Sequence, residues 1–225
     1  MQALWTASVW VIPVLVAITF HEAAHGYVAW RLGDDTARRL GRVSFLPWRH
    51  VDPFGTLIVP ALLLLARSPF LFGWAKPVPV NFAGLPNPRR DMVWVAAAGP
   101  GINFGLALAS AALMHLSTLA PGVAGLWLTQ NLINSVLINL VLAVFNMLPL
   151  PPLDGGRVAV GLLPRPLAEP LARLERFGLF IIIGALFVLP LVGSELGVNL
   201  NIFPWLIGQP VEFLFRVVMG MAGHV

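Results

Sequence analysis

Residues 4–30 read LWTASVWVIPVLVAITFHEAAHGYVAW, from Leu4 to Trp30, and their reading decides the fold. The run is longer than the ~20 apolar residues that a membrane-crossing helix needs. About two-thirds of the way along, it carries three ionisable side chains within five residues, His21, Glu22 and His25. Each such group inside a span costs about 2.5–3.5 kcal/mol even on a lenient insertion scale. A cation held in a polar cavity would supply the compensation.

The rest of the chain has the same character. Of 225 residues, 58% are hydrophobic and 11% charged, with a mean hydropathy of +0.83. Soluble domains average about 25% charged residues. An ordinary water-soluble globule and an unstructured chain are thereby excluded, and the stretches between apolar runs leave no room for a second folded module. The net charge of +4 comes from 13 Arg and one Lys against 10 acids. In a soluble protein such a basic balance would suggest nucleic acid. Here the bases cluster between spans and report orientation in the bilayer, so no nucleic-acid partner is expected. There is no cysteine, which excludes disulfides and thiolate ligands. Any metal must be held by His, Asp or Glu. The N-terminus, MQALWTASVW, lacks the basic region of a signal peptide and is expected to be retained.

Hydropathy predicts an all-α polytopic membrane protein of one domain over residues 1–225, with about five transmembrane helices. After Leu4–Trp30 come Met92 to about Leu119, Leu126–Met147, Phe177–Val192 and Trp205–Met221. The last carries Glu212 and Arg216, four apart, so it either spans with that pair facing protein or lies in the interface. A sixth stretch, Phe54–Phe72, contains Pro60, Arg67 and Pro69 and is expected to be re-entrant or peripheral. Two short segments, 42–45 and 76–80, have strand character and are expected to be membrane-associated β-strands; Pro77 and Pro79 would suit the second to a sheet edge.

His21 and His25, four apart, fall on one helix face, where two imidazoles can share an ion with Glu22 beside the open position. Zinc is the natural ion for nitrogen and oxygen ligands, and catalytic zinc takes three protein ligands and a water. Five aspartates compete for the third place. Asp34, Asp35, Asp52 and Asp91 lie in Arg-rich connections where solvation accounts for them. Asp154 follows the third span in Asn146-Met147-Leu148-Pro149-Leu150-Pro151-Pro152-Leu153-Asp154-Gly155-Gly156, where prolines stop the helix and glycines permit a tight turn. Read alone this is a turn. Beside an HExxH that lacks a ligand it is the third ligand. Gly101 and Gly105 form a GxxxG pair read as close helix packing. His115 and His224 have no partner motif, and a structural role is expected for both.

HEAAH within a span, Gly99-Pro100-Gly101-Ile102-Asn103 in the next long span and Leu153-Asp154-Gly155 after another resemble the site-2 protease family of intramembrane zinc metalloproteases. His50-Val51-Asp52-Pro53-Phe54-Gly55-Thr56 and Pro77-Val78-Pro79-Val80-Asn81 resemble its compact members, without a PDZ or nucleotide-sensing domain. The likeness covers roughly residues 10–165 and departs from the fuller pattern in having PLDGG rather than NPDG. It implies a catalytic core over about 4–165 with C-terminal helices over about 170–222. One Zn2+ would be bound by His21, His25 and Asp154, with Glu22 as the catalytic base. Asn103 has two readings: a hydrogen bond between helices, or, by the resemblance, a substrate-binding residue near the developing oxyanion.

The resemblance further implies hydrolysis of peptide bonds within transmembrane segments of single-span proteins, the substrates being its partners besides the lipid bilayer. Two other classes compete: a membrane zinc transporter or sensor, and an inactive homologue serving as a scaffold. Nothing in the residues specifies a substrate sequence or an oligomeric state. A helical substrate must unwind locally, and an edge at 42–45 or 76–80 would then pair with it. Connections 31–53, 73–91 and 157–176 hold 12 of the 14 Lys and Arg, while those near 120–125 and 193–204 hold none. Placing all twelve in the cytoplasm puts the protein in the cell (inner) membrane with the N-terminus outside and the active site opening toward the cytoplasm.

Overall fold

The structure is a computed structural model and describes residues 2–65, 73 and 75–224. Three long apolar helices form its centre: α1 (Gln2–Arg31), α2 (Pro88–Ser117) and α3 (Gly122–Asn146). In lipid a backbone must satisfy its own polar groups, which a continuous helix does. Lipid offers no hydrophobic force to join helices, so close approach and side-chain hydrogen bonds hold them together. Ala17, Ala107 and Ala111 are wholly buried at the seam. Trp127 Nε1 donates to Ser8 Oγ at 3.0 Å, and Asn134 Nδ2 to the Val9 carbonyl at 2.9 Å. These contacts run α3 alongside α1 in the same direction, while α2 is antiparallel to both. Asn131, Asn134 and Asn139 mark the inward face of α3.

Beyond α3 the chain turns through residues 147–153 into α4 (Asp154–Leu162) and α5 (Arg165–Arg173). Then come α6 (Glu175–Glu195, with a π turn at Gly184–Val188) and α7, whose π turn Pro204–Gly208 runs into Gln209–Met221. The proline-rich turn is clamped on both sides. A Cβ on Gly155 would collide with the Met147 carbonyl, one on Gly156 with Pro151 N, and one on Gly178 of α6 with the Pro151 carbonyl. Glycine at these positions lets α4 begin directly beneath the end of α3, which fixes where Asp154 points. Arg157 Nη2, 3.1 Å from Glu175 Oε1, ties α4 to the start of α6.

Four helices are long and apolar enough to cross a membrane by length and composition: Leu4–Arg31, Pro88–Ser117, Gly122–Asn146 and Glu175–Glu195. The fifth expected span, α7, is not among them. It packs through Ile207, Val211 and Val218 against Ala107, Ala111, Val136 and Leu140. Its end is clasped to α2 by His224 Nε2 on the Ala111 carbonyl (2.8 Å) and His115 Nε2 on the Ala222 carbonyl (2.6 Å), the two rings stacked. Thus α7 runs in the same direction as α2, and its start lies at the end of the bundle where Asp154 is. The 193–204 connection, expected opposite Asp154, returns to the same end. Val198 N donates to the Gly193 carbonyl at 2.9 Å, and the six Cα steps from Val198 to Pro204 (204 − 198) reach at most about 20–22 Å, less than the ~30 Å hydrocarbon core. In this arrangement α6 and α7 cannot both make full crossings.

The expected β-strands are absent among the described residues: 42–45 and 76–80 run without a ladder. Their hydrogen-bonding groups are already engaged. Pro77 and Pro79 have no N–H, Lys76 N donates to the His50 carbonyl at 2.9 Å, and Arg42 Nη2 donates to the Lys76 carbonyl at 2.6 Å. The GxxxG reading is also overturned, since a Cβ on Gly101 or Gly105 would meet nothing within 4 Å. Of the segment 54–72, the described part is helical, as the π turn Pro53–Ile58 and Val59–Leu65, started by Asp52 Oδ1 accepting from Gly55 N at 2.7 Å. Residues 66–72 lie outside the described residues.

Candidate metal centre

The helical repeat places His21 and His25 one turn apart, and the clamped turn brings Asp154 to them across 129 residues of chain (154 − 25). His21 Nε2 and His25 Nε2 are 3.1 Å apart. Asp154 Oδ2 lies 3.2 Å from the first and 3.4 Å from the second. His, His and Asp form a buried to half-buried cluster able to hold a metal ion.

The surroundings fix what the two rings present. Asn103, fully buried on α2, donates through Nδ2 to the Ala17 carbonyl (3.2 Å) and to Asn139 Oδ1 (2.7 Å). Its Oδ1 therefore faces His21 Nδ1 at 2.6 Å and can only accept. His21 thus carries its proton on Nδ1. His25 Nδ1 likewise donates to the Val95 carbonyl at 2.7 Å. Both Nε2 lone pairs are left pointing at one another and at a carboxylate oxygen. Asp154 Oδ2 is buried and accepts no hydrogen bond among the described residues.

Three converging lone-pair donors repel one another unless a cation joins them. Tetrahedral zinc with bonds of ~2.0–2.2 Å sets its ligand atoms about 3.3 Å apart, and the observed edges are 3.1, 3.2 and 3.4 Å. Gly99 leaves the space: a Cβ there would stand 2.5 Å from His25 Nε2 and 2.7 Å from His21 Nε2. The donor set and its cradle fit zinc.

Glu22, beside this cluster, accepts a hydrogen bond from Val78 N through Oε2 at 2.8 Å. Both line a cavity of about 470 Å³, together with the three donors, Leu179 and Ile182 of α6. Asn103 does not line it. Its polar atoms are committed behind His21, so the structure shows the first of its two readings, hydrogen bonds between helices, which here support a ring. Asn139 and the Val95 carbonyl were not singled out in the sequence, and Gly99 entered only as the first residue of the Gly99–Asn103 motif. An asparagine in the middle of an apolar span is the signal that marks Asn139.

Outside the bundle, Asp34 fastens the strap 76–81: its carboxylate accepts from Asn81 N at 2.7 Å and from Thr36 N at 3.0 Å. Burial would raise its pKa, but the Thr36 hydroxyl, these N–H groups and Arg39 lower it. The pKa of buried Arg42 is lowered too, by burial, and partly restored by the charge of Glu22.

A helical bundle with an ionisable triad beneath its apolar surface, shaped for zinc and set beside the Glu22 carboxylate, defines a membrane zinc metalloprotease. The comparisons agree. The model of "Peptidase family M50" matches residues 122–189. The chain is 42% identical over 197 residues to "Putative zinc metalloprotease YwhC" of Bacillus subtilis, covering 85% of each. It is 31% identical over 192 residues to "Putative zinc metalloprotease Rip2" of Mycobacterium tuberculosis, covering 84% of this chain and 71% of that one. No solved structure matches the chain. The chain belongs to peptidase family M50, the site-2 protease family, and its cofactor is zinc.

Proposed function

We propose that this single-domain enzyme hydrolyses peptide bonds inside transmembrane segments of single-span membrane proteins, as in regulated intramembrane proteolysis. His21, His25 and Asp154 hold the metal and Glu22 is the general base. The observation that carries the reading is the buried, unpartnered Asp154 Oδ2 facing two imidazole nitrogens whose protons are committed elsewhere. Zinc supplies Lewis-acid polarisation and a bound water whose pKa falls to about 7. Glu22 takes the proton of the attacking water and delivers it to the departing amide nitrogen. The Val78 N–H keeps that carboxylate turned into the cavity. Asn103 and the Val95 carbonyl keep both rings in the tautomer the site needs.

An unwound substrate reaches the cavity beside residues 76–80. Since the Lys76 and Val78 N–H groups and the Lys76 carbonyl are already bonded, pairing there runs through the Val78 and Pro79 carbonyls. The Lys- and Arg-rich connections share the end of the bundle where Asp154 lies, which supports a site opening to the cytoplasm of a cell membrane. The described part of the sixth stretch, residues 54–65, stays on that side without crossing.

The test uses purified protein in liposomes with a library of quenched-fluorescent single-span peptides. Wild type is expected to cleave some of them within the apolar segment. Glu22→Gln is expected to keep zinc and lose cleavage, and chelation to abolish it. Cleavage by Glu22→Gln at the wild-type rate would refute the assignment.

A further inference from the structure

We infer that Arg42 is a positioning residue for the Glu22 carboxylate, acting through the backbone of the strap 76–78. The inference rests on Glu22 being the base. Arg42 is a buried cation, 8% exposed, with no carboxylate within ion-pair distance among the described residues. Removing a guanidinium from water without pairing it is costly, so its bonds identify its task. Nη2 donates to the Lys76 carbonyl at 2.6 Å and reaches the Pro77 carbonyl at 3.4 Å. Both carbonyls belong to the two residues immediately before Val78, whose N–H is held 2.8 Å from Glu22 Oε2.

The strap needs such an anchor. It forms no ladder, and its two prolines cannot donate. Lys76 N on the His50 carbonyl holds one end, and Asn81 N on Asp34 holds the other. Between them, Arg42 is the side chain that fixes the height of the Val78 N–H over the catalytic carboxylate. Gly26, one turn beyond Glu22 on α1, lets the strap approach: a Cβ there would press on Val43 and Val78, each at 3.1 Å. The chain Arg42, strap, Val78 N–H, Glu22 therefore links a residue outside the cavity to the group that moves the proton, without touching zinc or substrate.

The experiment compares wild type, Arg42→Ala, Val78→Pro and the double variant in liposomes, on whichever library peptide the wild type cleaves. Val78 precedes Pro79, so its backbone is already in the region proline adopts, and Val78→Pro removes the N–H itself. A misplaced catalytic group costs rate rather than binding, so Arg42→Ala is expected to lower kcat about tenfold or more. KM is expected within about twofold of wild type, with zinc content unchanged. Val78→Pro is expected to lose at least as much, and the double variant no more than Val78→Pro alone. Unchanged kcat in Arg42→Ala, or losses that multiply in the double variant, overturns the inference. If Arg42→Ala does not fold, full kcat in zinc-loaded Val78→Pro overturns it. Glu22→Gln separates the two readings: if it still cleaves, the assignment of the base has failed; if it is dead while Arg42→Ala and Val78→Pro are not, this inference has.

Discussion

Gly99→Ala tests the metal centre through a single methyl group. The added carbon would lie 2.5 Å from His25 Nε2, 2.6 Å from His21 Cε1 and 2.7 Å from His21 Nε2. Ordinary contact begins at 3.4 Å, so at least one ring must retreat by about 0.9 Å (3.4 − 2.5). A metal site tolerates errors of only about ±0.2 Å in its bonds. Neither ring can yield cheaply, because His21 is held by Asn103 and His25 by the Val95 carbonyl. Zinc affinity is therefore expected to fall by about a hundredfold, the upper end for disturbing a ligand's support, or about 2.7 kcal/mol. The helix itself should gain, since alanine is better than glycine in a helix interior by about 0.8–1 kcal/mol. Competition with a calibrated zinc chelator measures the affinity, and thermal unfolding of the metal-free protein measures the fold. Zinc affinity is expected to fall much further than the stability of the metal-free protein, in which the ring clash and the helix gain oppose each other. Zinc affinity within about threefold of wild type would refute the placement of both imidazoles against Gly99.

Asn103→Leu keeps the volume but removes the acceptor for His21 Nδ1, and is expected to weaken zinc binding by about 10–100-fold; a rise in KM with intact zinc affinity would return Asn103 to the substrate. Asp34 has a folded-state pKa below its unfolded value of about 3.9. The stability it contributes is therefore fully present above that value and lost as pH falls through the lower, folded one. Amide exchange at Thr36 and Asn81 should stay slow at pH 5 and quicken below about pH 4, whereas Asp34→Asn should exchange quickly at neutral pH. Equal exchange in both proteins at neutral pH would contradict the clasp.

The convergence of His21, His25 and Asp154 was legible because its signal is chemical. Three ionisable groups in an apolar run demand compensation, and HExxH spacing states where it comes from. Asp154 was legible by elimination among five aspartates. What holds the ligands was harder to read, because it is supplied by helices distant in sequence. The carbonyl of Val95 carries no side-chain signature, and Gly99 is one glycine among 21. Asn103 was left between a bond joining helices and a substrate contact, since sequence does not say which side of His21 it occupies. The strand readings of 42–45 and 76–80 failed for a related reason. Arg42, Glu22 and Asp34 take bonds that a ladder would have used. The count of spans failed on direction. Hydropathy measures length and greasiness, while the clasp between His115, His224 and two carbonyls decides which way α7 runs.

The distance between the donors along the chain has a consequence for biosynthesis. His21 and His25 leave the ribosome early, and Asp154 follows 129 residues later (154 − 25). At roughly 5–20 residues per second, the newborn helix waits on the order of 6–26 seconds with half-built coordination. On the assignment proposed above, the cluster lacks its third donor throughout that interval. It is completed only after α1, α2 and α3 have been made, so the order of translation itself keeps the site unassembled while those three helices are being inserted.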